Sequence, residues 1–210
     1  MHLSGFTRAA LALAGLTALA VGTGCAAPSD PPSDPPLHPA DQLIGPSDIP
    51  ASFLKATDPG AFKLPCPALE QALAVTGEQS LTTFRSGLTE ITERITLAGG
   101  PGQAEAGLKA ATGAVGGCPS STPTRPPGGI AWGKRIKVTP LDRPAGLGDD
   151  AMAARAVDGT DLEAFVTDLL VIRQGPELVE LRITDWNLKP GPDIDTADLA
   201  RKAVHRLRPQ

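Results

Sequence analysis

Residues 164–183, AFVTDLLVIRQGPELVELRI, decide the fold. Two apolar runs rich in β-branched residues flank the segment QGPE at residues 174–177, and a Gly-Pro pair between such runs is typical of a turn between antiparallel strands. In the second run Val179, Leu181 and Ile183 alternate with polar residues. The stretch therefore predicts a β-hairpin whose second strand has one apolar side.

Further strands are predicted on the N-terminal side of this hairpin. Residues 151–157 form one, and residues 130–139 form another because Ile130, Trp132, Ile136 and Val138 alternate with a more polar side. Residues 80–97 fit two states, since Leu88, Ile91 and Ile95 match a helical face while Ile91, Ile95 and Leu97 share a strand face. The many threonines favour two short strands there.

Three helices are predicted from start and stop signals. One runs over residues 67–74, because Pro67 suits the first helical position directly after Cys66. A second covers residues 103–115, between the Gly-Gly-Pro-Gly break at residues 99–102 and a Gly-Gly pair. The third covers residues 195–208, capped by Asp195 or Thr196, with Leu199, Ala203 and Leu207 facing inward.

Helices early in the chain, a run of antiparallel strands and a final helix indicate an α+β fold. We expect one antiparallel sheet whose helices cover one face and leave the other face at least partly exposed. Residues 41–210 hold this single domain, because the chain is too short for a second one of full size.

The first 24 residues have the parts of an export signal: Arg8, an apolar run over residues 9–21, and small residues before Cys25. The apolar run is shorter than the roughly 20 residues that a membrane-spanning helix needs. The pattern resembles the lipobox of bacterial lipoproteins, with Gly22 where leucine is commoner. It predicts cleavage before Cys25 and a diacylglyceryl thioether there, with an N-acyl group such as palmitate. The alternative is ordinary secretion, which leaves Cys25 a free thiol.

A lipidated Cys25 anchors the protein stably, because each buried CH₂ contributes about 0.8 kcal/mol and several chains act together. Residues 25–40 then form a spacer in which Ser-Asp-Pro-Pro occurs twice in tandem. Proline holds such a segment extended at about 3 Å per residue. We therefore expect a semi-rigid tether between the membrane and the domain.

The remaining cysteines, Cys66 and Cys118, are predicted to pair, because disulfides persist outside the cytoplasm. The bond closes a loop of roughly 50 residues and stabilises the fold by about 4 kcal/mol in the chain-entropy model. It would tie the start of one helix to the end of another. The alternative, a metal site, lacks C-x-x-C spacing and a neighbouring histidine.

Composition argues against some partners. The net charge is −4, and no block rich in Lys and Arg is present, so nucleic acid is not an expected partner. Aromatic residues make up 3% of the chain and tyrosine is absent, which leaves few of the stacking platforms that single-strand binders use.

Three features of the sequence carry a family resemblance. They are the helix-flanked Cys66 and Cys118, the segment LGDDA at residues 147–151, and the hairpin LVIRQG at residues 170–175 that leads to LVEL at 178–181. The pattern resembles the envelope sensor-domain lipoproteins of high-GC, actinobacterial-type Gram-positive bacteria. That group includes the extracellular sensor of a receptor serine/threonine kinase, which has a second disulfide that this chain lacks. The resemblance implies an antiparallel sheet with helices around a ligand-binding cleft, and no catalytic residues.

Candidates for catalysis are few. Outside the export signal the histidines are His38, in the tether, and His205, among basic residues near the C-terminus. Neither has a nucleophile nearby in sequence, and no Gly-x-Ser-x-Gly elbow occurs. The glycines at residues 99–102 lack the Lys-Ser/Thr of a phosphate loop, so helix-start punctuation is the better interpretation.

Acidic and basic clusters have structural interpretations as well. Asp149 with Asp150, and Asp193 with Asp195 and Asp198, lack the alternation of a calcium loop, which favours turn and helix-cap roles. The basic residues Arg201, Lys202, Arg206 and Arg208 complement the dipole of the last helix, although anionic lipid or polymer is an alternative partner. We expect neither a metal nor a cofactor.

Trp132 and Trp186 are the two tryptophans, and both follow or lie in predicted strands. Two roles are consistent with these positions: packing in the core, and lining a ligand cleft.

Three functions remain for the domain. The first is a non-catalytic, sensor-like module that binds a small apolar molecule or an envelope protein. The second is an envelope enzyme with an unrecognised site, and the third is a structural or assembly role. The missing set of acid, base and nucleophile favours the first and the third.

Overall fold

The computed structural model describes residues 38–58, 63–121, 135–160, 164–186 and 194–207. The predicted export signal, Cys25, nearly all of the tether and Trp132 lie outside these residues. The helices are α1 (Pro39–Gln42), α2 (Pro67–Leu73), α3 (Pro101–Val115) and α4 (Thr196–Arg206). The strands are β1 (Leu54–Lys55), β2 (Gly77–Ser86), β3 (Thr89–Ala98), β4 (Arg135–Leu141), β5 (Asp150–Gly159), β6 (Ala164–Gln174) and β7 (Glu177–Asp185).

The seven strands form one antiparallel sheet in the order β1-β2-β3-β7-β6-β5-β4. The predicted hairpin is confirmed: β6 pairs with β7 from Val166↔Asp185 to Gln174↔Glu177. Residues 77–98 are two strands as predicted, each ten residues long and so longer than expected. Within the described part of the chain, no helix is long and apolar enough to cross a membrane.

The antiparallel sheet with packed helices is confirmed, but the helices lie on both of its faces and not on one. One face, here called the α4 face, carries α1, α4 and residues 43–53 around Ile91, Ile95, Val179 and Leu181. The opposite α2–α3 face packs Leu69 of α2 and Leu108 of α3 on residues of β5, β6 and β7. Strand β7 is therefore buried on both sides and not only along Val179, Leu181 and Ile183.

The predicted disulfide joins the two helices of the α2–α3 face. Cys66 is the N-cap residue of α2, and Cys118 follows the end of α3. The Cα atoms of the two cysteines are 5.2 Å apart, and the bond spans 52 residues of sequence. The start of one helix is thus tied to the end of another, as expected from the sequence.

The loop before β5 fastens the end of the central hairpin. The backbone amide of Asp149 donates to the carbonyl of Arg173 over 2.8 Å. Its carboxylate accepts from the amide of Gly175 over 2.8 Å and from the guanidinium of Arg173 over 2.9 Å. Gly148 precedes it with φ of 54°, in the left-handed region that favours glycine.

We predict that Gly148→Ala destabilises the protein much more than Gly146→Ala. Both glycines have positive φ, so both substitutions incur the backbone cost. A Cβ on Gly148 would overlap the carbonyl oxygen of Arg173 and lie 2.8 Å from Cγ2 of Ile172, whereas a Cβ on Gly146 meets nothing within 4 Å. We expect a difference of about 1–3 kcal/mol in the free energy of unfolding, measured in urea. Equal losses would contradict the contact.

Candidate functional site

Two half-exposed apolar side chains lie together at one end of the sheet. Leu88 is in the turn between β2 and β3, and Trp186 directly follows β7. The amide of Trp186 donates to the carbonyl of Leu88 over 3.0 Å, which sets the two residues side by side. Leu88 is 54% exposed and Trp186 is 50% exposed. Large apolar side chains exposed next to each other mark a candidate binding surface.

The indole of Trp186 is held in place from beneath. The ring of Phe165 on β6 meets it edge to face, with ring centroids 5.0 Å apart and an angle of 73° between the planes. Such aromatic pairs are stabilised beyond the area they bury. The exposed part of the indole is therefore presented by a fixed support.

A groove of about 340 Å³ surrounds these residues, lined by Arg85, Gly87, Leu88, Thr89, Glu90 and Trp186. We call it the Trp186 groove. Its polar side chains have partners: Nε of Arg85 lies 2.6 Å from Glu90, and the Thr89 hydroxyl donates to Asp185, at the end of β7, over 2.6 Å. The groove therefore offers apolar surface with a polar rim, which suits an apolar or aromatic group of a ligand.

The Trp186 groove lies at the end of the sheet opposite the point where the chain enters the domain. His38, just before α1, contacts Glu78 near the start of β2 with Nδ1 and Oε1 3.1 Å apart. Leu88 follows the other end of the same strand. At about 3.3 Å per residue, the two points are roughly 30 Å apart.

A second cluster of polar side chains lies between α2 and the sheet. Arg182 on β7 donates to the carboxylate of Glu70 on α2 over 2.9 Å and 3.2 Å, and it also contacts Glu180. Arg94 on β3 contacts Glu180 and donates to the carbonyl of Leu73 over 3.0 Å. Two arginines thus face two glutamates, and we call this cluster the Arg182 network.

The electrostatics of the Arg182 network favour its charged form. Burial alone would favour the neutral form of Glu70, but the hydrogen bond and the charge of Arg182 outweigh it and hold the pKa of Glu70 below its usual value. Burial likewise opposes the charge of Arg182, and the two glutamates outweigh it and raise the pKa of Arg182. The network therefore holds α2 on the sheet, and its two arginines and two glutamates neutralise one another, so that none of these four charges is available to a substrate.

Glu93 is a buried carboxyl with a raised pKa. Burial raises its pKa to about 7, aided by the charge of Asp48 and opposed by the Ile44 amide and Arg206. It lies on the α4 face, 0% exposed, beneath residues 43–53. A substrate outside the domain does not reach it in this conformation.

The candidate catalytic and metal-binding residues named from the sequence lie apart from one another. His38 is at the chain entry, whereas His205 is on α4. Asp150 contacts Arg143, Asp195 caps α4 by accepting from the Asp198 amide, and Asp198 pairs with Lys202. Asp193, Arg208 and Trp132 lie outside the described residues. Among the residues that are described, no three His, Cys, Asp or Glu side chains converge on a metal position.

Two further candidate features have structural roles. The amide of Gly99 donates to the side chain of Gln103 over 2.8 Å, which agrees with helix-start punctuation at residues 99–102. On α4, Arg201 pairs with Asp198, and Arg206 pairs with Asp48 at 2.6 Å. Arg201, Lys202 and Arg206 thus have acidic partners within the domain.

Sequence reasoning named Trp186 but missed Leu88 as its partner, and it also missed Glu93. The one local signal for Leu88 was its position after Gly87, whose φ of 58° forms the turn. No local signal identified Glu93, because it is buried by the segment around Ile44, which lies 49 residues away in the chain.

Comparisons with known proteins add one structural likeness. No family model matches the sequence, and no curated protein matches it. The fold is similar to the crystal structure of the extracellular domain of PknH from Mycobacterium tuberculosis, with a TM-score of 0.49 and 10% sequence identity. The alignment covers 79% of this chain and 92% of that domain.

We predict that Arg182→Met lowers the free energy of unfolding by about 3 kcal/mol, because it leaves the partly buried Glu70 without its arginine and the buried Glu180 with Arg94 alone. Arg155→Met is the control, since the Arg155–Asp168 pair at 2.6 Å lies on the surface and contributes at most about 1 kcal/mol. Urea unfolding of both variants checks this. Similar losses in the two would show that the Arg182 network does not fasten α2.

Proposed function

We propose that this chain is a lipid-anchored, extracytoplasmic protein whose domain binds an apolar ligand or a protein partner through the Trp186 groove, without catalysing a reaction. The observation that carries the proposal is the pair of half-exposed side chains, Leu88 and Trp186, on a supported surface. Exposed tryptophans in such settings often contribute strongly to binding.

The form of the groove favours a ligand that inserts only part of itself. Leu88 and Trp186 stay about half exposed, so an occupant is covered on one side and not enclosed. The small cavity between α2, α3 and the sheet, in contrast, measures about 10 Å³, which is room for one water. Of these two spaces, the Trp186 groove is the one that can take up an apolar group, which supports recognition of such a group on a larger partner.

The carboxyl groups support a role without catalysis. Glu90, in the Trp186 groove, is bonded to Arg85. Glu70 and Glu180 are paired with arginines, and Glu93 is covered. A general acid or base must reach the substrate within hydrogen-bond distance, and none of these four carboxyls is both free and accessible.

The anchoring part of the proposal rests on the export signal over residues 1–24, on Cys25 and on the proline-rich tether. His38 lies about 30 Å from the groove, so the predicted tether would join the domain at the other end of β2 from the groove. The partner we propose is a small apolar molecule or another envelope protein.

We predict that Trp186→Ala weakens binding of the native partner at least tenfold, because truncation of a central tryptophan commonly costs about 2 kcal/mol or more. The measurement is photo-crosslinking in the native envelope, with a benzophenone amino acid in place of Leu88 and detection of the adduct by mass spectrometry. The yield should fall when Trp186→Ala is added.

The matched control places the same probe at Leu141, which is 38% exposed on the edge strand β4. We expect no equivalent adduct from that position. The same adduct from both positions, or a yield at Leu88 that does not depend on Trp186, would refute the groove as the binding site.

We predict that Cys25→Ser moves the protein from the membrane fraction to the soluble fraction, because the variant has no sulfur to carry the lipid. Mass spectrometry of the native protein should show a diacylglyceryl group on Cys25 and an intact bond between Cys66 and Cys118. An unmodified Cys25, or a Cys25→Ser variant that stays with the membrane, would show that the anchor is wrong.

A further inference from the structure

Residues 43–53 form a strap that crosses the α4 face between α1 and β1. Its side chains Ile44, Ile49 and Phe53 are buried in the apolar cluster of that face. Ile49 and Pro50 form, with Ile91 and α4, a groove of about 330 Å³ along one side of the strap. The strap is thus a cover for the apolar surface of β2 and β3, and it directly follows the point where the chain enters the domain.

Polar contacts hold the strap at two points. At the first, the backbone amide of Ile44 donates to Oε2 of Glu93 on β3 over 2.6 Å. At the second, Asp48 accepts from the amide of Gly45 over 2.7 Å and pairs with Arg206 of α4 at 2.6 Å. Lys202 adds a bond to the carbonyl of Asp48 at 3.0 Å. The Asp48 contacts are near the surface, whereas the Glu93 contact is fully buried.

The hydrogen bond from Ile44 uses only one of the two carboxylate oxygens of Glu93. Oε1 of Glu93 has no hydrogen-bond partner, and the same holds for Oγ1 of Thr82 and Oε1 of Gln42. Thr82 is the cross-strand neighbour of Glu93, and Gln42 is two residues from Ile44. An unpaired oxygen in a buried carboxylate is costly, while a proton on that oxygen removes the charge and supplies a donor. The site therefore accommodates the neutral acid better than the anion.

We propose that Glu93 is a protonation latch: the strap is closed over the sheet while the carboxyl carries a proton, and it loosens and uncovers Ile91 when the carboxyl ionises. The latch would act where the predicted tether joins the domain. It does not depend on the lipid at Cys25 or on occupancy of the Trp186 groove.

The charges that face Glu93 set the direction of the effect. Its pKa is raised to about 7, first by burial and further by Asp48 on the strap, against the Ile44 amide and Arg206 on α4. Lys202 of α4 lies beyond Asp48. Glu177 of β7 is bonded to Gln42 at 2.9 Å, and burial raises its pKa as well. Closure of the strap over Glu93 is therefore favoured in acid, whereas Glu177 is bonded to α1 and not to the strap.

The direction of the pH effect on closure follows from the difference between the pKa values of Glu93 in the open and closed states. The solvated carboxyl of an open strap has its ordinary pKa of 4.5, below the value of about 7 in the closed state. The stabilisation of closure is fully present below pH 4.5 and is lost as the pH rises through 7. The opening equilibrium of the strap should increase on the order of a hundredfold between pH 5 and pH 8.

The test is hydrogen exchange of the backbone amides of residues 44–53, followed by mass spectrometry at pH 5 to 8. We compare the native protein with Glu93→Gln at each pH, which removes the intrinsic pH dependence of exchange. The side-chain amide of this variant is uncharged at every pH and can still accept from the Ile44 amide, so opening in Glu93→Gln should change less than threefold. Glu105→Gln, an exposed carboxyl on α3, is the matched control and should behave as the native protein does.

Exchange of the strap that does not change with pH in the native protein, or that changes equally in Glu93→Gln, would overturn the latch. Should Glu93→Gln fail to fold, a carbon-13 NMR titration of the Glu93 carboxyl in the native protein decides the question. A midpoint near 7 that coincides with strap opening supports the latch, and a midpoint near 4.5 refutes it.

Discussion

The structure depends on the ion pair between Arg182 and Glu70, because it allows β7 to be buried on both faces. Strand β7 lies between β3 and β6 at the centre of the sheet and offers apolar residues to one side and charged residues to the other. A buried charge without a partner would destabilise the fold by several kcal/mol. Since Glu70 approaches from α2, the charged side of β7 is covered by a helix and does not face water.

The two faces of the sheet are held by different forces. On the α2–α3 face, a covalent bond between Cys66 and Cys118 adds to the Arg182 network, so that α2 and α3 are fixed both to each other and to the strands. On the α4 face, the strap is held by apolar contacts and by the single buried bond from Ile44 to Glu93. The helices of the α2–α3 face are therefore held covalently, while on the α4 face we propose that the position of the strap depends on the protonation of Glu93.

The candidate binding surface lies at a third place, the end of the sheet distant from the chain entry. Leu88 lies there in the turn after β2 and Trp186 directly after β7, and both are about half exposed. The strap and this surface use different residues but are neighbours, because Leu54, directly after the strap, pairs with Arg85 of the groove. Strands β3 and β7 are well buried.

The sequence by itself determined the longer strands, the helices α2 to α4, the hairpin at residues 174–177 and the pairing of the cysteines, because these follow from local periodicity, turn residues and a choice among three thiols. It did not predict α1 or β1. Trp186 was also named from its position alone. Only the tertiary structure decided that helices cover both faces, that Leu88 accompanies Trp186, and that Glu93 and Arg182 are buried. The physical reason is that a charged residue in an alternating strand is read as facing solvent, whereas its burial is set by a distant partner. For Arg182 that partner, Glu70, is 112 residues away in the chain.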